Sequence, residues 1–208
     1  MMMTRTPDDH AGGLFAGLPE HDAAAMTRLH ARLAAAADDE GVLDVAYRTL
    51  DSPLGPLLLA ATDQGLVRVA FAVQDHNAVL QQLSDTVSPR ILRAPARLDD
   101  AGRQLEEYFA GRRRQFELPL DWRLAKGFRR DVLVHLPDIG YGRTESYAQV
   151  AAASGSPRAV RAVGTACATN PLPLVLPCHR VVRSDGSLGQ YAGGAEAKRL
   201  LIELEAAG

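Results

Sequence analysis

The sequence predicts an α/β chain of the α+β kind: an antiparallel meander with helices, followed by a winged-helix-like unit that carries a helix-turn-helix. Three observations carry that reading. Short β-like runs separated by turn residues fill residues 43–71. Helical periodicity replaces them further along the chain. Two short helix signatures then meet at a Gly-Ser turn around Gly155, the pattern of a helix-turn-helix. With 208 residues and 47% apolar content, the chain can bury a core large enough for one modest domain and a smaller one.

Residues 1–42 form an Ala-rich, acidic extension in which Met26, Leu29 and Leu33 recur at helical spacing, predicting one packing helix over 22–37 and a frayed Met-Met-Met start. Strands follow at 43–50, 56–62 and 66–71, with turns at 52–55 and 63–65. Helices are predicted at 77–83 and 98–109, the second with Ala101, Leu105, Tyr108 and Phe109 on one face and Gly111 as a stop. Arg112-Arg113-Arg114 opens a linker to Pro119, either a solvated loop or a phosphate contact. The division is therefore 1–42, 43–120 and 121–208.

In the last unit a helix over 128–136 ends before Pro137. Ser146 lies three residues before Gln149, a capping-box spacing that starts a helix through Ala153. Ser156-Pro157, an N-cap followed by Pro, launches a second helix to Ala168. A strand over 181–183, an Asp185-Gly186 hairpin turn resembling a wing, and a helix over 195–206 complete the chain.

Net charge is uneven. Residues 1–120 carry 12 basic and 17 acidic side chains and residues 121–208 carry 11 and 8, so the halves net −5 and +3 and a nucleic-acid surface belongs to the second. Two cysteines ten or so residues apart make no disulfide framework. With no hydrophobic leader, they point to a reducing cytosol and a cytoplasmic protein. No apolar run is long enough to span a membrane.

Chemistry concentrates at Asn170-Pro171-Leu172-Pro173-Leu174-Val175-Leu176-Pro177-Cys178-His179-Arg180-Val181-Val182. Its prolines fix φ and remove donors, so Cys178 is expected on a stiff, extended segment. A buried cysteine in a core strand is the plainer alternative. A flanking Pro, His and Arg are poor choices for a strand that only fills a core. Neighbours on an extended chain face opposite ways, so a water or a turn must connect His179 to the sulfur for it to generate the thiolate. On the preceding helix, Arg158, Arg161, Ala162 and Thr165 share one slim basic face, and Val160, Val163 and Cys167 share the opposite one.

Pro177-Cys178-His179-Arg180-Val181-Val182, with Asn170-Pro171 before it and Gly189-Gln190-Tyr191-Ala192-Gly193-Gly194 after it, resembles the O6-alkylguanine-DNA alkyltransferase family. The resemblance covers about 108–205 and extends weakly upstream to about Leu43. It implies a ribonuclease-H-like first domain, no cofactor, and repair of O6-alkylguanine in double-stranded DNA by alkyl transfer to Cys178, with O4-alkylthymine as a second candidate substrate. By the same resemblance, the recognition helix enters the minor groove and Arg161, beside Ala162, fills the gap left by a flipped nucleotide. Tyr147 meets charge on the purine, Glu205 orients His179, and Asn170 buttresses the loop. Val181, Tyr191, Ala192 and Gly193 line the guanine pocket, with the Ala192 N–H aimed at O6.

The chain also departs from the family pattern. Ala192 stands where many members have Ser. Residues 125–129, Leu133 and Gly140 replace a Thr-Pro-Phe-Gln run, a Trp and a Pro. Some members bind zinc, but two cysteines without C-x-x-C and no paired His spacing argue against a metal here. No membrane association or obligate protein partner is indicated. Two other function classes stay in view. One is a lesion sensor that flips the base without reacting, although such proteins lack the cysteine. The other is a Cys-His-Glu hydrolase, which would need an oxyanion hole beside a proline that removes a nearby donor.

Overall fold

The structure, a computed structural model, describes residues 23–207. The expected frayed start and the first residue of the 22–37 helix fall outside that range. Helix α1 (Ala23–Asp39) forms as expected but packs differently. Ala34 and Ala37 are buried with Leu43, Ala46 and Ala94, whereas Met26, Leu29 and Leu33 remain exposed. Short alanine side chains let the helix approach closely, and that face displaces the bulkier stripe the spacing suggested.

Strands β1 (Val45–Leu50), β2 (Leu57–Thr62) and β3 (Gly65–Phe71) form the predicted antiparallel meander. Helix α2 (His76–Thr86) follows, and a strand the sequence did not announce, β4 (Ile91–Arg93), adds to β1 in parallel, giving the order β3-β2-β1-β4. Three residues are too short for a period-2 pattern to register. Every residue of β2 is buried because both faces of the sheet are covered. One side packs Val79 and Leu83 of α2; the other packs Leu98, Ala101, Leu105 and Tyr108 of α3 (Asp99–Phe109) and its preceding turn. In the basic triplet, Arg113 pairs with Glu107 at 2.8 Å and Arg114 lies over the Tyr141 ring.

The core on the α3 side runs on into the second half of the chain without a break. There α4 (Phe128–His135), α5 (Tyr147–Ala153) and α6 (Val160–Ala168) pack together and place α5 and α6 as the helix-turn-helix. Ser146 and Gln149 make the predicted capping box. Ser156-Pro157 does not cap α6; it forms a turn that joins the helix at Ala159 through Ala159 N to Ser156 O. The hairpin expectation is also corrected. Strand β6 (Val181–Val182) pairs in parallel with β5 (Glu145–Ser146), and Asp185-Gly186 closes a tight turn with no strand after it. Two residues that pair with a strand before α5 have no antiparallel partner to return to. Helix α7 (Gly194–Ala206) follows that turn.

Candidate active site

The segment before Cys178 is neither extended nor a strand; it is a buried chain of turns ending in a 3-10 turn, Cys178–Arg180. Its prolines leave few amides, and these close local bonds: Leu176 N to Leu172 O, Cys178 N to Leu176 O, and Arg180 N to Pro177 O. Leu174 is forced to φ 75°, a left-handed conformation that costs a branched side chain about 1–2 kcal/mol. Asn170 holds the loop against that strain. Its Oδ1 accepts from Leu172 N at 2.9 Å, and its Nδ2 donates to Leu176 O at 2.8 Å and to Cys178 Sγ at 3.2 Å. Strand β3 ties down the same loop through Val69 N to Pro171 O at 2.8 Å.

In the 3-10 turn His179 and Arg180 both reach one carboxylate, that of Glu205. His179 Nε2 lies 2.8 Å from Glu205 Oε1, and Arg180 donates through Nε to Oε2 at 2.9 Å and through Nη2 to Oε1 at 3.0 Å. Arg180 Nη1 donates to Ile139 O at 2.6 Å. Tyr108 Oη donates to Glu205 Oε1 at 2.7 Å, and Gly142 N donates to Oε2 at 3.1 Å. Gly142 has φ 68°, and a Cβ there would lie 2.9 Å from Glu205 O, so only glycine fits. Burial pushes the Glu205 carboxyl up, but the His179 and Arg180 hydrogen bonds and charges prevail and hold it at about 2. The last turn of α7, where the helix dipole disfavours an anion, tolerates this one because Arg180 faces it.

An ionised Glu205 can only accept, so His179 Nε2 carries the proton and Nδ1 is the bare base. Nδ1 is buried without a protein partner among the described residues. Burial lowers the His179 pKa, which keeps the ring neutral. Burial also pushes the Cys178 thiol up to about 11, although the Asn170 hydrogen bond and the Lys198 charge pull it down. The resting pair is therefore a neutral thiol and a neutral imidazole. Two adjacent amides cannot serve as oxyanion donors: Pro177 has no N–H, and the Cys178 N–H is taken by Leu176 O.

Tyr147 opens α5 and is half-buried. Its hydroxyl presses on Gly189, where a Cβ would lie 2.1 Å from Oη. Burial, then the neighbouring Cys167 and Cys178 sulfurs, push its phenol up, so it stays protonated as a donor. Tyr191 is buried edge-on to Phe71 and His179 at 5.4 and 6.2 Å between ring centroids. Val181 is buried in β6, and Ala192 and Gly193 are half-buried. An open recess of about 520 Å³ runs along Leu188, Gly189, Gln190 and Tyr191 to Arg183 and Ala168; Cys178, 1% exposed, does not line it.

On α6, Arg161, Ala162 and Thr165 are exposed, as is Arg158 just before it, and Val163, Ala166 and Cys167 are buried. Val160 departs from the expected face: it is exposed, sitting about 60° round the helix from Val163 at the rim of the buried stripe.

Two family profiles match the chain, described as "6-O-methylguanine DNA methyltransferase, ribonuclease-like domain" over residues 45–122 and "6-O-methylguanine DNA methyltransferase, DNA binding domain" over residues 127–207. The chain belongs to the 6-O-methylguanine DNA methyltransferase family. The constitutive methylated-DNA–protein-cysteine methyltransferase of Bacillus subtilis is 39% identical over 160 residues, 76% of this chain and 94% of that protein. The crystal structure of Mycobacterium tuberculosis O6-methylguanine methyltransferase is 38% identical with a TM-score of 0.68, covering 78% of this chain and 93% of that one. A further M. tuberculosis structure, in complex with DNA, is 37% identical at a TM-score of 0.66 and covers the same shares, 78% and 93%.

Three residues of this methyltransferase-family site were not singled out from the sequence. Arg180 stood inside the quoted motif, but a sequence does not show that a cation is buried against Glu205. Lys198 is fully buried, donates to Val181 O at 2.6 Å and lies over the Tyr147 ring. Its place on the inward face of α7, with Ala197 and Leu201, was the only available signal. Tyr108 was assigned to the core by periodicity, and its ring is there; its hydroxyl points elsewhere.

Proposed function

We propose that this member of the family repairs O6-alkylguanine in double-stranded DNA by moving the alkyl carbon to Cys178. Residues 43–120 and 121–208 form the two units, and the second carries the DNA face and the nucleophile. The slim exposed face of α6 enters the minor groove, where small side chains suit limited width. Arg161 occupies the space of the extruded nucleotide and offsets an unstacking cost of a few kcal/mol. Val181, Tyr191, Ala192 and Gly193 receive the base, which requires the Tyr191 loop to open toward the neighbouring recess.

His179 Nδ1 then takes the Cys178 proton, directly or through one water, while Glu205 steadies the imidazolium. The sulfur attacks the alkyl carbon, an S–C bond forms, and the C–O bond breaks. Tyr147 meets the charge on the departing guanine with its hydroxyl. The product is a thioether with no carbonyl for water to attack, so the thiol is not restored. Both cysteines are free and buried, which suits a reducing, cytosolic setting.

One observation carries this reading. Cys178 is followed directly by His179, which Glu205 holds, while its own N–H is already spent on Leu176 O, a combination that suits displacement at a saturated carbon better than acyl chemistry. Incubation with a duplex oligonucleotide bearing O6-methylguanine, followed by nucleoside analysis of the DNA, tests it. Guanine restored in place of the lesion supports alkyl transfer; tight binding with the lesion intact would mean a sensor.

A further inference from the structure

We propose that Tyr108 is a positioning residue through which the first unit of the chain sets the basicity of His179. The inference rests on the reading above, in which His179 serves as the base for Cys178. Among the described donors to Glu205, Tyr108 alone comes from the ribonuclease-like part of the chain; His179, Arg180 and Gly142 all belong to the second half. Its hydroxyl shares Oε1 with His179 Nε2 and lies 3.5 Å from that nitrogen. The ring is fully buried and held edge-on or tilted by Phe109, Phe116 and Tyr141, with centroids 5.4, 5.4 and 6.3 Å away. Its place is thus set by α3, which the sheet fixes, and not by the active-site loop.

A carboxylate oxygen that accepts three hydrogen bonds is a weaker acceptor for each of them. Tyr108 therefore restrains the pull of Glu205 on the His179 N–H without adding charge. Burial, then the Glu205 charge, push its phenol far up, so it stays a neutral donor. The other charged or titratable groups coupled to His179 and Glu205 are Arg180, Lys198, Tyr141 and Tyr191. Tyr108→Phe removes none of these groups and keeps the ring.

The test follows the His179 ring by NMR through a pH titration of the whole chain without substrate, with the resonance assigned by its loss in His179→Gln. Tyr108→Phe should raise the His179 midpoint by about half a pH unit, since one neutral hydrogen bond is worth a few-fold in an equilibrium constant. Phe116→Leu, which loosens the same aromatic cluster without touching Glu205, should lower thermal stability and leave the midpoint where it is. A Tyr108→Phe midpoint that is unchanged or lowered overturns the proposal, as does an equal rise in Phe116→Leu. Because no alkyl transfer is read, the result stands even if the chain fails to repair DNA.

Discussion

Arg180 and Glu205 form a buried two-pronged ion pair, Nε to Oε2 at 2.9 Å and Nη2 to Oε1 at 3.0 Å, and Oε1 is the same oxygen that His179 Nε2 reaches at 2.8 Å. Removing one partner of such a pair leaves a buried charge uncompensated. Glu205→Gln should therefore destabilise the protein by about 3–5 kcal/mol in urea unfolding, as well as slowing Cys178. Arg180→Met added to Glu205→Gln should recover part of that loss, because it removes the stranded cation.

The same carboxylate fixes a pH dependence. Glu205 is held at about 2 against an ordinary 4.5, so its contribution to stability is fully present above 4.5 and is lost as the pH falls through 2. Unfolding free energies of the wild type and Glu205→Gln should converge across that interval. Parallel curves from pH 5 to about 2 would show that Glu205 is not the depressed group.

Asn170 makes three bonds at once, to Leu172 N, Leu176 O and Cys178 Sγ. Asn170→Ala should cost about 1–3 kcal/mol for the buried groups left unpaired. It should also push the Cys178 thiol above its value of about 11, since the Asn170 hydrogen bond is among the influences that lower it. Thiolate absorbance during an alkaline titration, with Cys167→Ser as background, reads the second effect. An unmoved thiol curve would leave Asn170 a scaffold residue only.

Gly189→Ala places a Cβ 2.1 Å from Tyr147 Oη, and the tyrosine must give way. Transfer from a free alkylated guanine should slow to the same degree as in Tyr147→Phe. Making both changes should add little, because each displaces the same hydroxyl.

Arg161 lies exposed on α6, and its side chain makes no hydrogen bond or ion pair with Cys178, His179 or Glu205. Arg161→Ala should slow repair of duplex DNA by on the order of tenfold or more while leaving reaction with a free O6-alkylated base unaffected, because only the duplex requires extrusion. Equal losses on both substrates would assign Arg161 to packing.

The meander, the α5–α6 pair and the last helix were legible because their signals are local: alternation in 43–71, the Ser146–Gln149 spacing, and the inward face of α7. The Cys178 motif was legible through its resemblance to a family. What escaped depends on distance along the chain. Tyr108 reaches Glu205 across 97 residues, and β4 exists only because β1 offers it an edge. Pro-rich 170–177 suggested an extended strut because prolines exclude helix, but they permit turns equally well, and Asn170 selects the turns. The exposed Met26, Leu29 and Leu33 show that helical spacing identifies a helix without saying which face will be covered.

The most direct test of the central claim is intact-protein mass after incubation with a tenfold excess of duplex carrying O6-methylguanine, followed by peptide mapping. The account predicts one methyl group per chain, on the peptide holding Cys178, then no further change. Cys167→Ser should keep that stoichiometry and Cys178→Ser should abolish it. Repair continuing past one equivalent, or label on Cys167, would contradict the account.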